Sequence, residues 1–113
     1  MASFTVNLAQ GSVSFRFPPE AAQALQTEIA QLNQRLKTIA QQVNQKERPT
    51  KQDALEYRHA GDVFLEVFCN PNLYASPFTA KVLLTLRDDR IRLSTEADLS
   101  QLLTDLEDYL AQI

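Results

Sequence analysis

Between Ala22 and Val43 the apolar residues recur at alternating steps of three and four: Ala22, Leu25, Ile29, Leu32, Leu36, Ile39 and Val43. Such steps average close to one helical turn, so these side chains fall on one stripe of an α-helix. The spacing is that of a heptad seam. Pro18 and Pro19 open the stretch, and proline is tolerated in a first helical turn. Residues 19–46 therefore predict a helix about 42 Å long. A single small sheet cannot cover that length. Two arrangements satisfy it. The second half packs on the other helices of the chain, or Leu32, Leu36, Ile39 and Val43 pair with their counterparts in another subunit. The remaining face is mostly neutral and rich in glutamine, from Gln23 to Gln45. The seam residues are the candidates for self-association, and a homodimer is the expected state.

The flanking segments have a different period. Phe4, Val6 and Leu8 alternate with Thr5 and Asn7; Val13, Phe15 and Phe17 alternate with Ser14 and Arg16. A period of two is that of a half-buried strand, and Gly11 between the runs can take a positive φ. A hairpin with Phe4, Phe15 and Phe17 on its inner face is expected. Beyond Pro49, Thr50 and Asp53 have the spacing of a helix start, and Ala54, Leu55 and Tyr57 suit a short helix over 51–60 with Gly61 as its stop. Residues 63–69 are apolar on both faces except at Glu66, which predicts a central strand. Strands over 79–87 and 90–93 follow, turning at Asp88 and Asp89. Ser94 or Thr95 then caps a last helix, with Asp98 at capping-box spacing and a stripe of Leu99, Leu102, Leu103, Leu106, Leu110 and Ile113. The whole predicts one α+β domain over 1–113. Its order is β-β-α-α-β-β-β-α, with an antiparallel sheet and helices on one face.

Chemistry is sparse in this chain. His59 is the only histidine and Cys69 the only cysteine, so an internal disulfide and a multi-cysteine zinc site are excluded. A single thiol suits a reducing compartment. The first residues lack the layout of a signal peptide, and no apolar run approaches the ~20 residues of a membrane span. A cytoplasmic protein is expected. Two glycines cannot build a phosphate loop. A net charge of −3 argues against nucleic acid as a partner. The acids Glu96, Asp98, Asp105, Glu107 and Asp108 are read as a solvated helix face. No catalytic, cofactor or metal residue is assigned.

Binding has better candidates. The loop over 70–78 holds two prolines and two asparagines, yet also Leu73, Tyr74 and Phe78. Either these fold back over the sheet edge or they form an exposed contact patch. Arg90 and Arg92, placed on one strand face, could clamp a partner carboxylate. The leading expectation is a non-enzymatic adaptor or assembly factor. It binds a protein or peptide through Leu73, Tyr74, Phe78, Arg90 and Arg92, with a sheet edge as a further docking element. A second reading is a small-molecule or ion sensor with a pocket between sheet and long helix. A third is an enzyme using Tyr57, His59 and nearby acids.

Two similarities bear on this. Residues 14–21 and 90–97 each run from an alternating strand into a Glu-Ala pair, which fits either an internal β-β-α duplication or the general grammar of a hairpin followed by a helix. The second half, from Asp62 on, resembles the COMM domain. The shared features are an apolar strand, a variable loop, the strand Lys81-Val82-Leu83-Leu84-Thr85-Leu86, a short turn, a final strand, and a helix of leucine pattern from Leu93 to Leu106. The tryptophan often found in that family's first strand is absent. The resemblance implies a dimerising adaptor module. In style, the short Gln- and Ala-rich acidic chain also resembles small cyanobacterial proteins that assist assembly of carboxysomes or photosynthetic complexes.

Overall fold

The alternation at the N-terminus becomes an antiparallel hairpin, β1 (Ser3–Leu8) and β2 (Gly11–Arg16), in the computed structural model, which describes residues 3–113. Phe4 lies opposite Phe15, and Val6 opposite Val13. Gly11 takes φ 150° at the turn, a conformation that disfavours any side chain. Phe4, Phe15 and Phe17 are buried together, with ring centroids 5.6 to 5.7 Å apart. The expected inner face is the observed one.

Helix α1 (Pro19–Asn44) follows at once. Its 26 residues make it about 39 Å long. It ends in a Schellman turn. The Lys46 N–H donates to the Val43 carbonyl at 3.0 Å and the Glu47 N–H to the Gln42 carbonyl at 2.8 Å, with Lys46 at φ 57° where glycine is usual. The seam of α1 is used within the chain. Leu25, Ile29, Leu32, Leu36 and Ile39 are buried in its own core. Only Val43, 46% exposed, stays outside it. Leu32, Leu36 and Ile39 are therefore not available to pair with another subunit. The second half of α1 is covered by the strands, the loop over 70–78 and the last helix.

The second sheet is a four-stranded antiparallel meander: β3 (Leu55–His59), β4 (Phe64–Cys69), β5 (Lys81–Arg87) and β6 (Arg92–Asp98), in that order. β4 is central, as its apolar run predicts. The short helix expected over 51–60 is instead strand β3. Leu55 and Tyr57 point inward while Glu56 and Arg58 point out, and pairing runs from Leu55 opposite Cys69 to His59 opposite Leu65. Thr50 is not a cap. Its N–H donates to Gln42 Oε1 at 2.8 Å, and Gln42 Nε2 donates to its hydroxyl at 3.0 Å. The order is thus β-β-α-β-β-β-β-α, still α+β.

β6 runs past the expected helix start, so Ser94 and Thr95 are strand residues. Helix α2 (Leu99–Ala111) begins directly after Asp98. The Leu99 N–H donates to the Ala80 carbonyl at 3.1 Å, which fixes the corner. Here the proposed duplication loses its residue match: Glu20 and Ala21 lie on a helix, while Glu96 and Ala97 lie on a strand.

One face of the meander is covered. Leu65, Val67, Cys69, Val82, Leu84, Leu86 and Ala97 meet the stripe of α1, the hairpin phenylalanines, and Leu99, Leu102 and Leu106 of α2. The other face, with Phe64, Glu66, Phe68, Leu83 and Thr85 at its middle, carries no helix among the described residues.

Candidate functional site

The loop over 70–78 is shaped by its asparagines. Asn70 Oδ1 accepts from the Asn72 N–H at 3.1 Å and opens a single 3-10 turn, Pro71–Leu73. Asn72 then serves the chain before β3. Its Oδ1 accepts from the Gln52 N–H at 2.8 Å, and its Nδ2 donates to the Gln52 carbonyl at 2.7 Å. A side-chain amide thus stands in for a strand neighbour. Pro71 is buried and Tyr74 packs half-buried against the core. With these two turned inward, Leu73 and Phe78 are left 73% and 89% exposed. The loop therefore realises both arrangements expected for it: Tyr74 folds back, while Leu73 and Phe78 stand out.

These two side chains flank the C-terminal half of α1. Leu73 and Tyr74 share a shallow groove with Ile39, Val43, Pro49 and Lys51. Phe78 rims a larger groove of about 640 Å³ with Ala40, Lys37 and Gln41 of α1 and Leu103 of α2. The surface it exposes is mostly apolar, although polar side chains such as Asn33, Gln41 and Ser100 outnumber the apolar ones around it. Lys37 is the one charged residue in its lining among the described residues. Val43 and Leu73, placed by sequence in separate surfaces, meet in the first of these grooves.

The arginine pair is not formed as expected. Arg90 lies in the turn, where its N–H and that of Ile91 donate to Asp88 Oδ1 at 2.8 and 2.9 Å. Those two donors, Ile91 first, hold the Asp88 carboxyl below its usual range. Arg92 instead pairs across the strands with Arg87 on the open sheet face. The Arg87 guanidinium also sits 4.4 Å from the centroid of the Phe64 ring. Next to this, Arg58 and Glu66 form an ion pair at 2.6 Å.

The residues considered for chemistry serve packing. Tyr57 donates its hydroxyl to the Ala21 carbonyl at 3.0 Å. Burial, with Glu28 adding to it, raises its pKa. His59 lies edge-on to Phe17, centroids 5.4 Å apart, and its Nε2 has no hydrogen-bond partner among the described residues. Cys69 is 2% exposed, and burial pushes its thiol up to about 11, which keeps it protonated at neutral pH. Among the described residues no group of His, Cys, Asp and Glu is placed to hold a metal. The space between sheet and α1 is filled by core side chains, where the sensor reading expects a pocket.

Asp105 departs from its expected place on the solvated face. It is 4% exposed, and its carboxylate accepts from the Asn7 N–H, from Asn7 Nδ2 and from Gln101 Nε2. The sequence holds a faint signal for this. Asp105 lies three residues after Leu102 and four before Tyr109, both of which are buried.

Compared with protein-family models, with curated proteins and with solved structures, the chain matches none. No helix among the described residues is long and apolar enough to cross a membrane.

Proposed function

We propose that this protein is a non-enzymatic adaptor or assembly factor that captures an apolar segment of a protein partner along the C-terminal half of α1. The observation that carries the reading is Phe78, 89% exposed at the rim of a mostly apolar groove between α1 and α2. A large aromatic so placed loses apolar hydration when a partner covers it, and aromatics are common anchors of interfaces. The groove runs between two helices, so it suits the apolar face of a partner helix. Lys37 on its wall favours an acidic residue beside the anchor. Leu73 and Val43, on the other flank of α1, extend the contact. The order β4, loop, β5, β6, α2 follows the pattern on which the COMM resemblance rests, but the helix begins at Leu99, so Leu93–Asp98 of that pattern is strand.

The test places a photo-crosslinking phenylalanine analogue at position 78, and at position 10 as a control, in the native cell. The partner crosslinked from position 78 is then purified. Its affinity for the chain is expected to fall at least ten-fold with Phe78→Asp and to stay unchanged with Gln10→Asp. Equal affinity for both variants removes the groove from the function.

A further inference from the structure

We infer that the open face of the β3–β6 meander is a self-association surface on which a second copy of this chain packs face to face, related by a two-fold axis running across the strands. The inference is independent of the groove at Phe78.

Strand register orders this face into rows. One row reads Glu56, Phe68, Leu83, Glu96 across β3 to β6. The next reads Arg58, Glu66, Thr85, Ser94. The third reads Phe64, Arg87, Arg92. Charge is therefore segregated along the strands. Arg58 and Glu66 neutralise each other in the middle row, and Lys81 and Asp98 do so at one end. Glu56 and Glu96 are left on one side of the middle row, and Arg87 and Arg92 on the other. None of these four makes an ion pair among the described residues.

Two observations say that this pattern needs a complement. Arg87 and Arg92 are direct cross-strand neighbours, and like charges so placed repel. Phe68 and Leu83 lie between the two glutamates of their row and Phe64 beside the arginines of the other; Phe64 and Phe68 are half-buried and Leu83 46% exposed, which is apolar area held in water. A second copy turned over about the row of Thr85 and Ser94 answers both. Arg92 then meets Glu96 of the second copy, and Glu96 meets its Arg92. Phe64 falls over the second Phe68 and Arg87 over the second Leu83, while Thr85, Ser94 and the Arg58–Glu66 ion pair meet their own counterparts, the pair presenting itself as a neutral unit. Turning about the strand direction through the middle of the sheet instead would set Glu56 against Glu96 and give neither arginine a carboxylate, so the unpaired charges favour the first orientation. An isologous contact of this kind closes on itself.

The face is small. Strands about 4.8 Å apart and residues about 3.3 Å long give a plate roughly 20 Å on a side. That is below the ~800 Å² per partner of a standard interface, so the dimer is weak and reversible.

Sedimentation velocity from ~10 μM to ~1 mM tests this, a range chosen for an interface of this size. The wild-type chain is expected to shift from monomer to dimer across the series. Leu83→Glu, Arg92→Glu and Glu96→Arg, each alone, are expected to weaken association at least ten-fold. An equimolar mixture of Arg92→Glu and Glu96→Arg chains is expected to regain it, because each reversed charge then meets its opposite. Regain in the mixture also shows that both single variants are folded. A chain that stays monomeric throughout, a dimer that survives all three substitutions, or a mixture that remains monomeric overturns the inference.

Discussion

Asp105 on α2 accepts two hydrogen bonds from Asn7 on β1, one from the backbone N–H and one from the side-chain amide, each 2.8 Å long and spanning 98 positions of sequence. Gln101 Nε2 adds a third at 2.9 Å. A nearly buried carboxylate is tolerable because these donors replace its water. Tyr109, one turn on, donates its hydroxyl to the Phe17 carbonyl, and its ring lies 5.4 Å from that of Phe4. α2 is thereby fastened to the N-terminal hairpin by polar contacts as well as by packing.

Asp105→Ala should accordingly lower the unfolding free energy by about 2–3 kcal/mol, since hydrogen bonds to a charged acceptor are lost and the Asn7 N–H loses its partner. Asn7→Ala should cost about 1 kcal/mol, because the backbone N–H still reaches the carboxylate. Urea denaturation of both variants is the measurement. A loss below about 0.5 kcal/mol for Asp105→Ala would falsify this account of the contact.

The seam of α1 makes a second contrast. Leu36 is fully enclosed and Val43 is not. Leu36→Ala should destabilise the chain by about 2–5 kcal/mol through lost burial and the cavity left behind. Val43→Ala should stay within about 0.5 kcal/mol. Similar losses at both positions, measured by the same denaturation, would mean that Val43 is covered after all.

Alkaline pH offers a third. The Cys69 thiol is raised by burial from an ordinary value of 9.0 to about 11. The unfolded chain therefore releases this proton first. The contribution of the neutral thiol is fully present below about pH 9 and is lost as pH rises towards 11. Tyr57 and Tyr109 are also raised by burial and act in the same direction at higher pH. The difference in unfolding free energy between wild type and Cys69→Ala isolates the thiol. It should shrink across that window, and a difference that is flat from pH 8 to about 11 would rule out a titrating Cys69 as its source.

Much of this fold is legible along the chain because its signals are local. The alternation of Phe4, Val6, Val13 and Phe15 gives the hairpin, and the steps from Ala22 to Ile39 give α1. The unbroken run at Phe64–Cys69 gives the central strand. Where the reading fails, a long-range partner decides. Leu55–His59 carries only five residues of alternation, and it is strand because β4 is there to pair with it. Ser94 and Thr95 have the chemistry of a helix cap, but Leu84 and Thr85 hold them in the sheet. Asp105 looks like one more acid on an acidic helix until Asn7 arrives from the other end of the sequence. For the candidate site, the residues of the loop over 70–78 left open whether Leu73, Tyr74 and Phe78 fold back or stand out, because which of them the core can accept depends on distant partners. The grooves beside them, and the charge order of the open sheet face, exist only once register places the rows.

The fastening of α2 to the hairpin also sets an order in time. Strands β3 to β6 each pair with the next along the chain, so they can zip together as they are made. The hairpin at the other end has Phe4 and Phe17 turned towards a helix that is synthesised after every strand. Until Leu99–Ala111 is available, the aromatic cluster made first is only partly roofed. A nascent chain that has made β6 but not α2 therefore still holds apolar surface of the hairpin and α1 in water, and that interval gives a chaperone a defined surface to hold.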